Sequence, residues 1–473
     1  MVRTCFFLLL LAISFRGFSQ VEGTLHFMKV LPQVVNNNPA FRPLYKGHIG
    51  LPGSSVFVAY TNNGFTYNDL ISSQNGVNTA DLGKLYAALK DQNYITQSFQ
   101  ADLFRLGFQL SPKFYLMGHV TAKTHAQIKL PKDVFGLFVN GTTPFINDAA
   151  SLNAEVNGIG YVESALGASL ALSKKLRLGF RAKYLQGVAT INTVRSDGSL
   201  SVDENLNITA KANLQVNTAG INSLTSGNPD FAQLLKNSGF GVDAGVTIEP
   251  LRGLVLGASI LDLGSISWKN DLRQYALDSA KAKYTFQGLD LNRILNNTSD
   301  GYLDEQLDSL KANFELEEST LAGFQTTLPT RLLLSGEWEL IRNFSIGGLL
   351  IFQNYKERIN PTLVVSATKN FGRLLTTSFS YTMSNNSWNN LGAGLSLNLS
   401  PLQIYVVGDN LLRVPLALAS DGNVNRVINS AQFFNLRVGL NFTWGRIKEE
   451  ENKPNNSPTG GSKRPPPAKK RRR

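Results

Sequence analysis

The sequence predicts an all-β fold, an antiparallel transmembrane β-barrel of about 14 strands with short periplasmic turns and longer extracellular loops. Three observations predict it. Apolar and polar residues alternate with a period of two in segment after segment, with no comparable helical run. The connections between these segments alternate in length, tight and then mostly long. The last segment sets Phe434, Leu436, Val438, Leu440, Phe442 and Trp444 against Asn435, Arg437, Gly439, Asn441 and Thr443. At about eleven residues, with aromatic ends, it is long enough to cross a bilayer.

Residues 1–19 read as a secretory signal peptide: Arg3 supplies the charge, Phe6 to Phe15 a mostly apolar stretch, and Ser19 a small residue before Gln20. Cys5, the one cysteine, leaves with it, so the mature chain has no thiol for a disulfide, a metal site or a nucleophile. No later stretch approaches eighteen consecutive apolar residues, so membrane residence has to be as a barrel. A hydrophobic fraction of 42% and a mean hydropathy near zero suit strands that are apolar at every second position, and suit a soluble protein equally. The formal charge of +12 is unevenly placed. Seven positive charges lie in Lys463 to Arg473, and Arg3 and Arg16 lie in the leader, which leaves +3 for the body. That body is no polyanion binder by charge, so no nucleic-acid partner is expected.

In chain order, 20–43 is a plug or a lead into the first strand, 44–446 the barrel, and 447–473 a tail. Phe114, Leu116, Gly118, Val120 and Ala122 oppose Tyr115, Met117, His119, Thr121 and Lys123. Val162, Leu166, Ala168, Leu170 and Leu172 oppose Glu163, Gly167, Ser169 and Ser173; Leu176, Leu178, Phe180, Ala182 and Tyr184 oppose Lys175, Arg177, Gly179, Arg181 and Lys183. Leu332, Leu334, Trp338 and Leu340 oppose Arg331, Ser335, Glu337 and Glu339, and the Leu391 to Leu399 segment repeats the pattern. Tight turns fall at 111–113, 173–175, 249–253, 341–343, 369–373 and 400–401. The longer connections are 61–101, 131–152, 190–238, 264–329 and 410–432, with two short ones near 356 and 386. Six turns join fourteen strands if 200–217, which also alternates, pairs above the membrane without crossing it. An even count places both termini in the periplasm. Leu110 opposite Phe114 and Leu172 opposite Leu176 keep the apolar faces of each hairpin together. Asp81 to Leu89 and parts of Leu291 to Leu321 have helical potential. From about Lys448 the composition supports no core, so the tail is expected to be disordered.

The opening Asn36-Asn37-Asn38-Pro39-Ala40-Phe41 resembles the Asn-Pro-Ala start of FadL-like long-chain fatty acid transporters. The body, including Tyr184-Leu185-Gln186-Gly187, Leu261 to Trp268 and Leu328-Pro329, is similar to an uncharacterised outer-membrane β-barrel family of Bacteroidota that is related to the type IX secretion protein PorV. The resemblance spans roughly residues 24–446. Its FadL side implies a fourteen-stranded barrel, a plugging N-terminal segment and diffusion of hydrophobic cargo through a lateral opening. Its PorV side implies a non-transporting scaffold that binds secretion or assembly proteins. Both place the chain in the outer membrane of a Gram-negative bacterium, in contact with outer-membrane lipid.

No nucleophile elbow, Walker loop, zinc-protease motif or dinucleotide fingerprint occurs, so no enzyme and no cofactor is expected. His119 and His125 share the inward face of one strand but are roughly 20 Å apart, too far to share a metal. The lumen-facing charges Glu163, Arg177, Arg181, Lys183, Glu337 and Glu339 are read as internal pairs, with Lys183 diagonal to Glu163 across a hairpin. Asn38, Pro39 and Ala40 are candidates for a gating plug, the alternative being a cap on the first strand. Lys463, Arg464, Lys469, Lys470, Arg471, Arg472 and Arg473 form a candidate periplasmic tether to an anionic cell-wall polymer, to lipid headgroups of the inner leaflet or to an acidic partner protein, the alternative being a passive solvated tail.

Overall fold

The structure, a computed structural model, describes residues 22–447 other than 75–76, 226–235, 279, 288–301, 357, 385–386 and 412–432. The expected signal peptide and basic tail lie outside the described residues. Fourteen antiparallel strands form the barrel wall. They are β1, in two segments (Tyr45–Gly50 and Ser55–Asn62), β2 (Gln92–Ser111), β3 (Phe114–Pro131), β4 (Glu155–Ala171), β5 (Leu176–Val202), β6 (Asn237–Leu251) and β7 (Leu254–Trp268). Then come β8 (Thr330–Ile341), β9 (Phe344–Tyr355), β10 (Arg358–Phe371), β11 (Leu375–Ser384), β12 (Ser387–Leu399), β13 (Leu402–Gly408) and β14 (Phe433–Arg446).

The barrel closes because β14 pairs with both segments of β1, Trp444 opposite Gly47 and Leu436 opposite Val58. Closure leaves no sheet edge in the wall. A Cβ on Gly47 would enter the Trp444 ring, so glycine at this position lets the indole lie flat across the seam. Outside a few bulges, the alternation carries through to the wall. Leu166 (75% exposed), Phe240 (72%) and Phe379 (56%) point outward with Trp338 and Trp444, while Asn435, Arg437, Asn441 and Thr443 are buried inside. An exposed apolar belt of this extent has no stable place in water, whereas hydrocarbon accepts it.

Segment 200–217 does not enter the wall. The β5–β6 ladder ends at Gly187 opposite Asn237, and beyond it the upper part of β5 folds against Ile208–Ala219. That strand pairs in turn with Leu272–Leu277 and Lys283–Phe286, and the former with Leu316–Ser319, building a small sheet at the long-loop end. Helices occur where expected, at Leu82–Ala88 and Tyr302–Asn313, with a further one at Lys132–Asn140. Asp81 caps the first by accepting from the Lys84 amide at 2.9 Å. No helix among the described residues is long and apolar enough to cross a membrane.

Two expectations need correction. Leu110 does not sit opposite Phe114: the ladder shifts so that Ser111 does, and Leu110 bulges outward, 58% exposed. A bulge absorbs the odd residue and restores the apolar face at the turn. The first long connection is also shorter than 61–101, because β2 already pairs from Gln92 with Pro131. Beyond the bilayer a strand no longer separates lipid from interior, so its alternation fades while its hydrogen bonding continues.

Three hydrophobic clusters among the described residues form around the N-terminal segment. A helical turn, Gly23–His26, and a 3-10 turn, Pro32–Asn36, thread residues 22–44 through the lumen. Phe27 packs with Leu261, Leu333, Leu349, Ile351 and Val364; Leu25, Met28 and Leu31 with Tyr405 and Val407; Val34 and Val35 with Tyr115 and Met117. The segment thereby touches walls on several sides of the barrel.

Candidate functional site: the stoppered lumen

The threaded segment is tied to the wall by polar contacts along its whole length. At its start Glu22 forms an ion pair with Arg437 of β14. The same guanidinium donates to Ser55 Oγ at 2.8 Å and Gln100 Oε1 at 3.0 Å, and lies 5.0 Å from the Phe57 ring centroid. Next to it the Asp409 carboxylate accepts from the Gly23 amide at 3.0 Å, the Thr24 amide at 2.9 Å, the Thr24 hydroxyl at 2.5 Å and Asn435 Nδ2 at 2.8 Å. Hydrogen bonds to a carboxylate are roughly twice as strong as neutral ones. Further along, Gln33 and Asn441 exchange amide hydrogen bonds at 2.8 and 3.1 Å, Arg105 donates to Asn36 at 3.2 Å, and Lys29 meets Glu337 at 2.6 Å.

Asn38-Pro39-Ala40 lies against β4–β7. Asn38 Nδ2 donates to the Val246 and Ala258 carbonyls, both at 3.3 Å, while its Oδ1 accepts from the Ala40 amide at 2.9 Å. Ser259 donates to the Asn37 carbonyl at 2.7 Å and Ser169 to that of Ala40 at 2.9 Å. Close approach needs bare backbone in the wall. A Cβ on Gly179 would strike the Pro39–Ala40 backbone, and one on Gly245 the Asn38 side chain.

Behind this cradle β3–β8 carry a buried charge cluster. Glu163 accepts from His119 Nε2 and Lys123 Nζ, both at 2.8 Å, and lies 3.5 Å from Lys183. Lys183 reaches Asp243 at 2.8 Å and Asp262 at 2.5 Å; Arg181 pairs with Asp243, and Arg331 with Asp262 at 2.7 Å. Buried charges persist when each has a partner, which holds here for both signs. Two bulges make the arrangement possible. One at Leu103 turns both Asp102 and Arg105 inward, where they pair at 2.7 Å although three residues apart. The other, opposite Asp243, turns both Leu261 and Asp262 inward, with Asp262 at a φ of +59°.

Two cavities adjoin the threaded segment. A cavity of about 50 Å³ lies between Glu22, Lys123, His125, Tyr161, Asp262 and Arg331, room for a water or two. A second, of about 210 Å³, lies at the short-turn end among Phe27, Lys29, Leu44, Glu249, Glu337 and Glu339.

The structure brings Glu163, Arg181 and Lys183 together. Arg177 stands apart, partly exposed, 3.5 Å from Ser169 Oγ. Glu337 faces Lys29 and also accepts from Ser345 at 2.7 Å, while Glu339 takes the Asn343 amide at 3.1 Å. The two histidines have separate partners, Glu163 for His119, and Ser98 at 2.9 Å with the Tyr355 ring for His125. No cluster of three or more metal-ligating side chains occurs among the described residues. The tail candidates Lys463 to Arg473 lie outside the described residues. The sequence did not single out Glu22, Asp102, Arg105, Asp243, Asp262 and Asp409. Inward parity flagged Arg331 and Arg437 as interior, but the bulges hid Asp102 and Asp262.

No curated protein matches the chain by sequence. Among solved structures it is similar to a TodX mutant monoaromatic hydrocarbon channel, at 9% identity and a TM-score of 0.46 over 91% of this chain and 99% of that one. It is also similar to a FadL homologue of Pseudomonas aeruginosa (11% identity, TM-score 0.43, 92% of this chain and 100% of that one). The toluene transporter TbuX of Ralstonia pickettii aligns at 10% identity with a TM-score of 0.36, over 91% of this chain and 100% of that one. Residues 39–409 match the model of a family of unknown function, DUF5723, and the chain belongs to that family.

Proposed function

We propose that the protein is an integral outer-membrane β-barrel of a Gram-negative bacterium whose lumen is held shut by its own N-terminal segment. In this reading it serves as a non-transporting partner barrel in an outer-membrane secretion or assembly complex. The observation that supports it is the Glu22 and Asp409 anchorage: a carboxylate on the segment and another on the wall tie the N-terminal segment to the inner face of the barrel. The small sheet built on the upper part of β5 gives such a barrel a surface for protein partners. The even strand count is compatible with both termini in the periplasm, where the seven cations of Lys463 to Arg473 would serve as a tether to anionic cell-wall polymer. Gentle purification from native membranes tests the reading. Stoichiometric protein partners support it, whereas toluene or dye flux through wild-type protein alone in liposomes overturns it.

A second reading, passive transport of small hydrophobic molecules, is favoured by one feature. The first wall strand is interrupted between Gly50 and Ser55, and Leu51, Pro52 and Gly53 are exposed there. The ladder of this strand is broken at this point. Cargo leaving sideways through it would bypass the plug, and the same liposome flux assay decides between the two.

A further inference from the structure

We propose that the short-turn rim of the barrel is a binding ring for anionic phospholipid headgroups, an inference that rests on the membrane-spanning reading. Five of the six short turns carry lysine or arginine at the tip: Lys113, Lys174 with Lys175, Arg252, Arg342 and Arg373, all exposed. Lys113, Lys174, Lys175, Arg342 and Arg373 form no ion pair with an acid of the described residues. The two acids nearest the turns are each engaged by a turn amide. Glu249 accepts the Gly253 amide at 3.0 Å and Glu339 the Asn343 amide at 3.1 Å, and both line the cavity inside the short-turn end.

The opposite end of the barrel is different. There several exposed cations are paired with acids: Arg273 with Glu318 at 2.7 Å, Lys281 with Asp278 at 3.0 Å, and Lys311 with Asp308 at 3.3 Å. On the short-turn rim, by contrast, exposed cations recur from turn to turn.

The position of the ring identifies its partner. Each cation lies within three residues of an outward apolar side chain: Leu110 before Lys113, Leu172 before Lys174, Leu251 before Arg252, Ile341 before Arg342, and Phe371 and Leu374 about Arg373. These six are 52–67% exposed, the last apolar groups of the belt. Lipid-facing carbon followed at once by a cation matches a phospholipid, whose acyl chain meets the belt while its phosphate meets the ammonium or guanidinium. A cell-wall polymer lies beyond the headgroups and makes no use of the adjoining apolar groups. The lipid class is one with net negative charge, because a zwitterionic headgroup offers each phosphate its own cation.

The test uses full-length protein in mixed phosphatidylglycerol and phosphatidylcholine vesicles, reading the lipid in contact with the protein by spin-label restriction. Insertion into pure phosphatidylcholine, followed by heat-modifiable migration, reports separately on the membrane-spanning reading. The wild type is expected to select phosphatidylglycerol about fivefold or more. The combined variant Lys113→Gln, Lys174→Gln, Lys175→Gln, Arg252→Gln, Arg342→Gln and Arg373→Gln, altered only at exposed turns, is expected to insert normally and lose that selection. A variant lacking 448–473 is expected to keep it. Normal insertion without selection in the wild type overturns the inference, as does selection that survives the six changes. Rim-dependent binding to murein sacculi in place of phosphatidylglycerol selection also overturns it.

Discussion

Replacing Arg437 by leucine is expected to unseat the plug while leaving the barrel wall intact. The guanidinium is almost fully buried, pairs with Glu22, and donates to Ser55 and Gln100. Ser55 retains Tyr405, which donates to it at 2.8 Å, so the loss falls mainly on the Glu22 carboxylate, left buried without its cation. Removing one partner of a buried pair costs about 3–5 kcal/mol. If that cost is felt only with the plug seated, the seated state weakens by roughly 10²–10⁴-fold. Met28, fully buried within the plug, is a reporter site. The chain's one cysteine is Cys5, in the expected leader, so Met28→Cys supplies a single thiol. Its labelling by a water-soluble maleimide in detergent micelles should speed up by about that factor in the Arg437→Leu background. Adding Glu22→Gln should recover much of the difference, because the stranded charge is then gone. A change below about threefold, with the wall still folded by heat-modifiable migration, would refute the claim that this pair latches the plug.

Three other outcomes follow from the same geometry. Asn38→Ala removes the hydrogen bonds to Val246 and Ala258, and leakage of small dyes from proteoliposomes should rise; unchanged leakage removes any gating role for this residue. Lys183→Met leaves Glu163, Asp243 and Asp262 with one shared cation fewer, and should lower stability by about 3–5 kcal/mol in urea titrations of the reconstituted protein, a result contradicted by an unchanged midpoint. Leu166→Arg places a charge on the outward face of β4, where lipid contact predicts a cost of about 2–4 kcal/mol in folding into vesicles. Equal folding yield for this variant would mean that the belt does not face hydrocarbon.

The wall was legible in the sequence almost strand by strand, because the cue is local. Each residue of β14, from Phe434 to Trp444, faces either outward or inward, and its chemistry follows its face. The exclusion of 200–217 from the wall was also readable, since counting it as a span would have put 249–253 on the wrong side. Departures came where parity breaks. Leu110 slipped into a bulge at the first turn, and the bulges at Leu103 and opposite Asp243 turned acids inward that a strict period of two does not predict. Glu163 and Lys183 were within reach of sequence reasoning because one hairpin holds both; Asp262 and Arg331 were not, for they lie on strands separated by a long loop.

By itself, then, the sequence determined a barrel: period-two alternation, turn residues and closing aromatics are properties of neighbours along the chain, and the lipid–interior boundary acts on each residue singly. Only the tertiary structure decided what fills the barrel. Glu22 and Arg437 are 415 positions apart, and Thr24 and Asp409 are 385 apart. No local pattern joins them. They meet because β14 closes on β1 and the segment before β1 has nowhere to bury Leu25, Phe27, Met28 and Leu31 except inside the cylinder so formed.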